Sequence, residues 1–580
     1  MAATTDVQLD GRTLTLAQLA QFDCERPHFE LAPQARENML SSVATVAEVI
    51  QSKRVCYGIN TGFGAFANRH IPDSQVVELQ YNLARSHTCG VGEALPEKLV
   101  RRLLILKANS LAAGCSGIRP EVVDALLALA NNDVIPQIPA KGSVGASGDL
   151  APLAHMTMAL IGEGEAMWRG EKISAMEVPG AAGFEPVELQ AKEGLALLNG
   201  TQLSAALAIE GLYRLDNLLR TSVVAGAMTV EGLAGSFAPF DERIHEVRGM
   251  HGQRRVAQAF RRLLTASDIH SGHADCDRVQ DPYSVRCMPQ VLGAVWDTLH
   301  HCAGVLEIEC NAVSDNPLIF GDDVLSGGNF HAEPLGFLCD FMAIAATELG
   351  TMAERRIDLL ERRINPNLNM FLAREPGLQS GLMIAHVTAA ALASENKTLS
   401  HPASVDSIPT SAGQEDHVSM APWAGQKLQN ICDNLEHILA IELLAAARAI
   451  EAQAPLKATA EIEDIRSVLR DFAPALRGDR RHDIEITAVG KAISRGEFIA
   501  PLADATELDT LKRAFCSCLN PADRLNSSAQ QKTQEQAGDE REHVHIRGFG
   551  QYYSPDFRFS ACADLPAVSD LLAHYSNIDA

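Results

Sequence analysis

The 580-residue chain has few aromatic residues and comparatively few basic ones. Aromatic side chains make up 5% of the sequence, and 49 Lys and Arg stand against 73 Asp and Glu, so the formal net charge is −24. A surface of this charge repels phosphate backbones, and we therefore expect no nucleic-acid partner. Apolar residues at 46% and charged residues at 21% are otherwise typical of a globular protein.

Long hydrophobic runs are also missing. No stretch reaches the roughly 18 consecutive apolar residues of a membrane-spanning helix. The first residues, Met-Ala-Ala-Thr-Thr-Asp-Val-Gln, lack the basic and apolar regions of a signal peptide. We therefore expect no membrane association and a cytoplasmic location. The 13 cysteines follow no disulfide-rich pattern, and we expect them to be reduced.

Patterns of metal-ligating residues are equally scarce. The pairs Cys516 with Cys518 and His543 with His545 come nearest to one. Their spacing fits no standard zinc site, so we expect no metal ion.

Helical periodicity dominates what the sequence does contain. Ala and Leu are abundant, which favours helix, and long amphipathic patterns cover 99–113, 202–232, 289–313, 336–359 and 425–452. In the last segment, Leu and Ile residues form an apolar stripe broad enough to bury. Strand patterns are few and short. The predicted fold is mainly α, an elongated bundle of long helices with a smaller, loop-rich N-terminal part.

The character of the chain changes near residue 503. Residues 526–542 are polar enough to be a linker or a disordered segment, and a tail bearing several aromatic residues follows them. We therefore divide the chain into a unit at 1–503 and a C-terminal extension at 504–580. The unit is loop-rich to about 200 and forms the helical bundle at about 201–503, whereas the extension is predicted to be partly disordered, with an unknown role.

The most informative motif is Ala146-Ser147-Gly148, within the run Gly-Ser-Val-Gly-Ala-Ser-Gly-Asp-Leu-Ala-Pro-Leu-Ala-His at 142–155. If the Gly148 amide nitrogen attacks the Ala146 carbonyl carbon, a five-membered ring closes. Loss of two waters, one of them from the Ser147 hydroxyl, then leaves an exocyclic methylidene, which is a strong electrophile. Gly148 permits the close approach because it has no Cβ. An isolated Ala-Ser-Gly, by contrast, is usually just a turn.

Three further segments carry candidate catalytic residues. Tyr57 begins the glycine-rich octet Tyr-Gly-Ile-Asn-Thr-Gly-Phe-Gly, a loop that can close over a substrate and supply an acid or base. Asn199 precedes a helix, where an Asn is ordinarily an N-cap. Asp281 can cap another helix, on which Tyr283 and Arg286 share a face. A guanidinium there can grip a carboxylate with two hydrogen bonds.

Together these segments resemble the signatures of the aromatic amino-acid ammonia-lyases and aminomutases, over about 14–503. The resemblance implies that Ala146, Ser147 and Gly148 form a 4-methylidene-imidazol-5-one (MIO) in the loop-rich part of the chain, with no external cofactor. It also implies a homotetramer around a central helical bundle, with active sites shared between subunits.

The same resemblance implies a role for each candidate residue. Tyr57 is implied as the base or proton shuttle, and Asn199 as the group that holds the MIO carbonyl and the substrate amine. Arg286 is implied to bind the substrate α-carboxylate. The residues implied to flank the MIO or to line the substrate pocket are Gln280, Tyr283, Phe330 and Gln414.

Two positions indicate which amino acid is the substrate. Members of the family that act on histidine have Ser-His where this chain has Ser86-His87, whereas tyrosine enzymes have His-Leu and phenylalanine enzymes Phe-Leu. Glu415 stands where the tyrosine and phenylalanine enzymes have a neutral amide. An imidazole offers two nitrogens to His87 and Glu415. A benzene ring would leave the buried carboxylate unsatisfied, at a cost of several kcal/mol.

The expected reaction is the non-oxidative elimination of ammonia from L-histidine to give trans-urocanate, the first step of histidine degradation. The MIO would bond either the substrate amine or its ring, and Tyr57 and Glu415 are alternative bases for the β-proton. The alternative functions are a tyrosine or phenylalanine ammonia-lyase or aminomutase, and an inactive scaffold of the same fold. One departure from the family pattern is Gly413, where Asn is expected, and it predicts a looser loop beside Glu415.

Overall fold

The structure is a computed structural model that describes residues 6–272, 278–362 and 364–502. These residues belong to one compact unit, Met1–Pro521. The extension predicted at 504–580, with Cys516, Cys518, His543 and His545, lies outside the described residues. The division of the chain near residue 503 therefore stays a prediction.

Helices account for most of the described chain. In chain order they are α1 (Leu16–Glu25), α2 (Pro33–Gln51), α3 (Val76–His87), α4 (Glu97–Ala112), α5 (Pro120–Asn131), α6 (Leu150–Leu160), α7 (Val178–Ala182), α8 (Glu193–Leu198), α9 (Gln202–Gly232), α10 (Glu242–Glu246), α11 (His251–Leu264), α12 (Asp268–Ser271), α13 (Tyr283–Arg286), α14 (Met288–Glu309), α15 (Glu333–Glu361), α16 (Met383–Leu399), α17 (Ala421–Glu451), α18 (Ala460–Phe472) and α19 (His482–Ser494).

The strands of the described residues are short and form small, separate sheets. They are β1 (Asp6–Leu9), β2 (His28–Leu31), β3 (Val91–Ala94), β4 (Ile135–Pro136), β5 (Pro139–Lys141), β6 (Ala166–Trp168), β7 (Glu171–Ile173), β8 (Leu318–Phe320) and β9 (Asp323–Leu325). Strand β1 pairs in parallel with β2, whereas β3 with β5, β4 with β6, β6 with β7 and β8 with β9 are antiparallel. All but the last pair lie before residue 200, which confirms that the N-terminal part is the less helical one.

The core of the fold is a bundle in which α9, α15 and α17 pack against one another. Helix α9 is buried on every side, because α4, α11, α14 and α19 also contact it. A helix that is buried all round belongs in the interior of a large protein. Helix α15 is long and apolar enough to cross a membrane, but 67% of its most apolar window is buried inside the protein, as in a core helix.

One ion pair joins the three central helices. Arg356 of α15 and Glu442 of α17 are both fully buried, and Arg356 Nη2 lies 2.7 Å from Glu442 Oε2. Thr229 of α9 donates a hydrogen bond of 2.9 Å to Glu442 Oε1. The Glu442 carboxylate therefore binds side chains of both α9 and α15.

The helical predictions are confirmed, with shifted ends. The pattern at 202–232 coincides with α9, whereas α15 is longer than the pattern at 336–359 at both ends. The predicted cap at Asp281 is wrong, because α13 begins after Pro282 without a side-chain cap. Asp281 instead pairs with Arg278 and accepts a hydrogen bond of 2.7 Å from the amide of Ser236. The Asp281 carboxylate is therefore bound by Ser236, which lies 45 residues earlier in the chain.

Candidate active site

A cavity of about 1120 Å³ lies where three distant parts of the chain meet. Its walls come from the loop and helix at 57–87, from the segment at 146–199, and from loops between 316 and 417. Loops held by a rigid scaffold are the usual position for catalytic residues. The predicted site residues that line it are Tyr57, His87, Ala146, Ser147, Asn199, Phe330, Gln414 and Glu415.

The Ala146-Ser147-Gly148 tripeptide lies in the turn between β5 and α6. Gly148 has φ of +75° and bridges to Gly200, and Asp149 donates a backbone hydrogen bond of 2.7 Å to the Gly200 carbonyl. A Cβ on Gly148 would lie 2.2 Å from the Gly200 oxygen, so only glycine fits. The fold therefore imposes at position 148 a left-handed conformation that only glycine adopts without strain.

Asn199 holds the tripeptide from the other side. Its Nδ2 donates a hydrogen bond of 2.7 Å to the Ser147 carbonyl, and its buried Oδ1 has no hydrogen-bond partner among the described residues. Asn199 ends α8 rather than capping α9, which begins at Gln202. The side chain thus offers a free acceptor beside Ser147.

Glu415 brings a negative charge to the tripeptide. Its Oε1 lies 2.5 Å from Ser147 Oγ, and its Oε2 accepts hydrogen bonds from Thr410 Oγ1 at 2.6 Å and Ser411 Oγ at 2.8 Å. Burial raises the pKa of Glu415, but the hydrogen bonds from these three hydroxyls bring it below its usual value. The carboxylate is therefore ionised at neutral pH.

His87 is a neutral imidazole at the end of α3. Its Nδ1 lies 2.8 Å from the Leu83 carbonyl and 3.1 Å from Ser86 Oγ. A carbonyl can only accept, so Nδ1 carries the proton and Nε2 is left as an acceptor. Burial lowers the pKa of His87, and the nearby Glu415 opposes this effect in part.

Tyr57 and Phe330 complete the cavity wall among the predicted residues. The Tyr57 hydroxyl accepts a hydrogen bond of 3.4 Å from the Gly64 amide, which closes the glycine-rich octet on itself. Phe330 is half-buried and faces the cavity, so it is not a residue of the hydrophobic core.

Gln280, Tyr283 and Arg286 are described residues that do not line this cavity. Tyr283 and Arg286 share a face as predicted, with the guanidinium carbon 4.6 Å from the centre of the tyrosine ring. Tyr283 is 69% exposed, and the buried Arg286 Nε has no hydrogen-bond partner within the described part of the chain. The roles implied for these residues stay predictions.

A layer of buried charges lies behind the tripeptide. Asp149 accepts hydrogen bonds from the Ser204 amide at 2.8 Å, Ser204 Oγ at 3.0 Å and Ser143 Oγ at 3.2 Å, and burial raises its pKa to about 6. Lys107 Nζ donates a hydrogen bond of 2.7 Å to the Asn199 carbonyl, and burial lowers the pKa of Lys107 to about 8. Neither residue is predicted from the sequence. The available signals were an Asp directly after the tripeptide and a Lys inside an apolar helix pattern.

The model of the aromatic amino acid lyase family matches residues 14–471. The chain belongs to this family. A histidine ammonia-lyase from Burkholderia lata is 53% identical over 498 residues, which are 85% of this chain and 98% of that protein. The family-model match at 14–471 lies within the range 14–503 over which the sequence motifs resemble the family.

Two solved structures show the fold of the family. The histidine ammonia-lyase from Trypanosoma cruzi superposes with a TM-score of 0.79 at 39% identity, covering 88% of this chain and 97% of its own. A tyrosine aminomutase from Streptomyces globisporus superposes with a TM-score of 0.81 at 34% identity, covering 87% and 99%. The mainly helical fold is thereby confirmed.

Gly413, the departure from the family sequence pattern, lies in a tight turn before Glu415. Its φ is +84°, a conformation that glycine adopts without strain, and an added Cβ would meet no atom within 4 Å. Thr410 pairs with Glu415 across this turn through its backbone and its hydroxyl. The looser loop expected at Gly413 stays a prediction.

Proposed function

We propose that the chain is a histidine ammonia-lyase, which eliminates ammonia from L-histidine to give trans-urocanate in the first step of histidine degradation. The observation that carries the proposal is the ionised Glu415 carboxylate, 2.5 Å from Ser147 Oγ in a cavity that also contains His87. Relatives named histidine ammonia-lyase, 52–53% identical over nearly their whole length, support it. A cytoplasmic location is part of the proposal.

The cofactor in this proposal is an MIO formed from Ala146, Ser147 and Gly148. The left-handed Gly148, the Asn199 hydrogen bond to the Ser147 carbonyl and the close Gly148–Gly200 pairing suit this group. When formed, the MIO supplies the electrophile that makes departure of ammonia feasible.

The other residues of the cavity bind the substrate and move its protons. The Glu415 carboxylate accepts one N–H of the substrate imidazole, and His87 Nε2, which is also an acceptor, takes the second N–H when the ring is protonated. Asn199 Oδ1 is free to accept a hydrogen bond from the substrate amine. Tyr57 and Glu415 are the two alternative bases for the β-proton, and the position of both in the cavity wall supports this assignment.

The active form in this proposal is a homotetramer with shared active sites. Gln280, Tyr283 and Arg286 act in the site of another copy of the chain, where Arg286 grips the substrate carboxylate. Their position away from the cavity of their own chain, and the exposed Tyr283 ring stacked on the guanidinium, support this assignment.

A parallel assay with L-histidine, L-tyrosine and L-phenylalanine tests the proposal. Ammonia and the ultraviolet absorbance of the conjugated acid are followed for each amino acid. We expect urocanate from L-histidine and no product from the other two. A product from tyrosine or phenylalanine would overturn the assignment of Glu415 and His87, and a β-amino acid would indicate an aminomutase. If none of the three amino acids gives a product and the intact mass equals the encoded mass, the chain is an inactive scaffold.

A further inference from the structure

We propose that His331, Glu333 and His417 form a binding site for a divalent transition-metal ion at the wall of the active-site cavity. One donor atom from each, two imidazole nitrogens and a carboxylate oxygen, lie within 4.8 Å of one another. Two histidines and a carboxylate are the ligands of open zinc sites, and imidazole nitrogen favours zinc and its neighbours over magnesium and calcium.

The fold holds these three residues together from two separate segments. Glu333 is the first residue of α15, His331 lies two residues before it, and His417 lies in the loop that leads into α17. The imidazole rings of His331 and His417 are stacked, with centres 5.4 Å apart and planes within 6°. The His331 Nε2 atom lies 3.3 Å from the His417 carbonyl.

Both segments are anchored to the turn that carries the tripeptide. The Ala332 amide donates a hydrogen bond of 3.3 Å to the Gly145 carbonyl, and the Met420 amide donates one of 2.8 Å to the Val144 carbonyl. The metal-binding residues are therefore brought together by the same packing that shapes the active site. Metal sites need this kind of preorganisation, because ligands in flexible segments lose conformational freedom on binding.

The polar groups of the cluster are incompletely satisfied without an ion. Glu333 Oε2 is buried and has no hydrogen-bond partner among the residues described. The two hydrogen-bond contacts of the His331 ring, with the His417 carbonyl and the Glu333 amide, are both long at 3.3 Å. A buried carboxylate oxygen without a partner requires an explanation, and a cation held by Glu333 and the two histidines provides one.

The ion would lie beside the substrate space rather than in a remote part of the molecule. His331 and His417 line the cavity that also contains Ser147 and Glu415. Three protein ligands leave at least one coordination position of a tetrahedral ion open to water or to a ligand from the cavity. The sequence alone does not reveal this cluster, because His417 is distant in the chain and meets His331 and Glu333 only in the fold.

Calorimetric titration of the full chain with Zn²⁺, after treatment with a chelator and without any amino acid, tests the proposal. We expect one Zn²⁺ per chain and no binding of Mg²⁺. Glu333→Gln keeps the shape of the side chain and should weaken Zn²⁺ binding by more than about tenfold, since losing even an outer partner of a metal ligand can do so. His301→Ala, on the exposed side of α14, is the matched control and should bind Zn²⁺ as the unaltered chain does.

Visible spectra of the Co²⁺-loaded protein separate this site from the cysteines. Nitrogen and oxygen ligands give only weak visible bands, which should disappear in both Glu333→Gln and His417→Ala. Intense near-ultraviolet thiolate bands, or equal Zn²⁺ binding by the unaltered chain and both variants, would overturn the proposal. So would the absence of Zn²⁺ binding to the unaltered chain. These readouts do not depend on turnover, so they are independent of the proposed lyase activity.

Discussion

At the scale of single residues, we expect substrate choice to depend on the charge of Glu415. Glu415→Gln keeps the shape of the side chain but removes its negative charge and replaces one of its two acceptor oxygens by an NH2 donor. We expect kcat/KM for L-histidine to fall by about 100-fold or more. Asp406→Asn, an exposed change of the same kind in the same loop region, should have no effect. Equal activity of Glu415→Gln and the unaltered chain would remove Glu415 from the site.

The proposed cofactor cannot form without Ser147, because its hydroxyl leaves as water to give the methylidene. Ser147→Ala should abolish turnover and restore the encoded mass, whereas the unaltered chain should be lighter by two water molecules. The melting temperature should change little, because the substitution removes little volume from a half-buried position. Ser41→Ala, far along the chain on α2, should leave both turnover and mass deficit in place. Turnover by Ser147→Ala would exclude the MIO.

Asp149 makes the stability of the fold depend on pH. Burial raises its pKa to about 6, above the value of about 4 in an unfolded chain. The folded state keeps a proton that the unfolded state releases, so this contribution to the unfolding free energy is full below pH 4 and is lost as the pH rises to 6. In thermal melts, the melting temperature of the unaltered chain relative to that of Asp149→Asn should fall between these pH values. A constant difference would contradict the assignment.

At the scale of helices, the buried ion pair of the bundle should contribute more to the unfolding free energy than an exposed ion pair on the same helix. Glu442→Gln leaves the fully buried Arg356 without its counter-charge, and we expect a loss of about 3–5 kcal/mol of unfolding free energy. Asp433→Asn, on the same helix, removes an exposed partner of Arg214 and should cost less than about 1 kcal/mol. Denaturant titrations of the two variants give the comparison, and similar losses would contradict it.

Helices were predictable from the sequence because their periodicity is local, and α9 was found with both ends correct. The contacts that build the site are not local. The place of Asn199 before a helix indicates only an N-cap, and its contact with the tripeptide was implied by the family resemblance alone; its side chain donates a hydrogen bond to the Ser147 carbonyl. The cap expected at Asp281 failed for the same reason, since Ser236 competes for the carboxylate. Lys107 and His417 acquire their importance only from residues far away in the chain.

At the scale of the whole molecule, a shared active site predicts complementation. Ser147→Ala and Arg286→Ala should each be inactive alone, because one loses the electrophile and the other the carboxylate clamp. When the two are expressed together, random mixing gives intact pairs at about a quarter of the sites, so activity should return. Differently tagged chains show whether mixed oligomers form. Mixed oligomers without activity would place Arg286 outside the site.

The surroundings of the tripeptide also set an order of events during synthesis. Ser147 contacts Glu415, and the Val144 carbonyl bonds the Met420 amide, so more than two thirds of the chain must leave the ribosome before this turn is complete. A nascent or truncated chain that stops short of residue 415 has the tripeptide but not its enclosure. We therefore expect the proposed MIO to form only in chains that extend past residue 415, so that unfinished chains carry no electrophile.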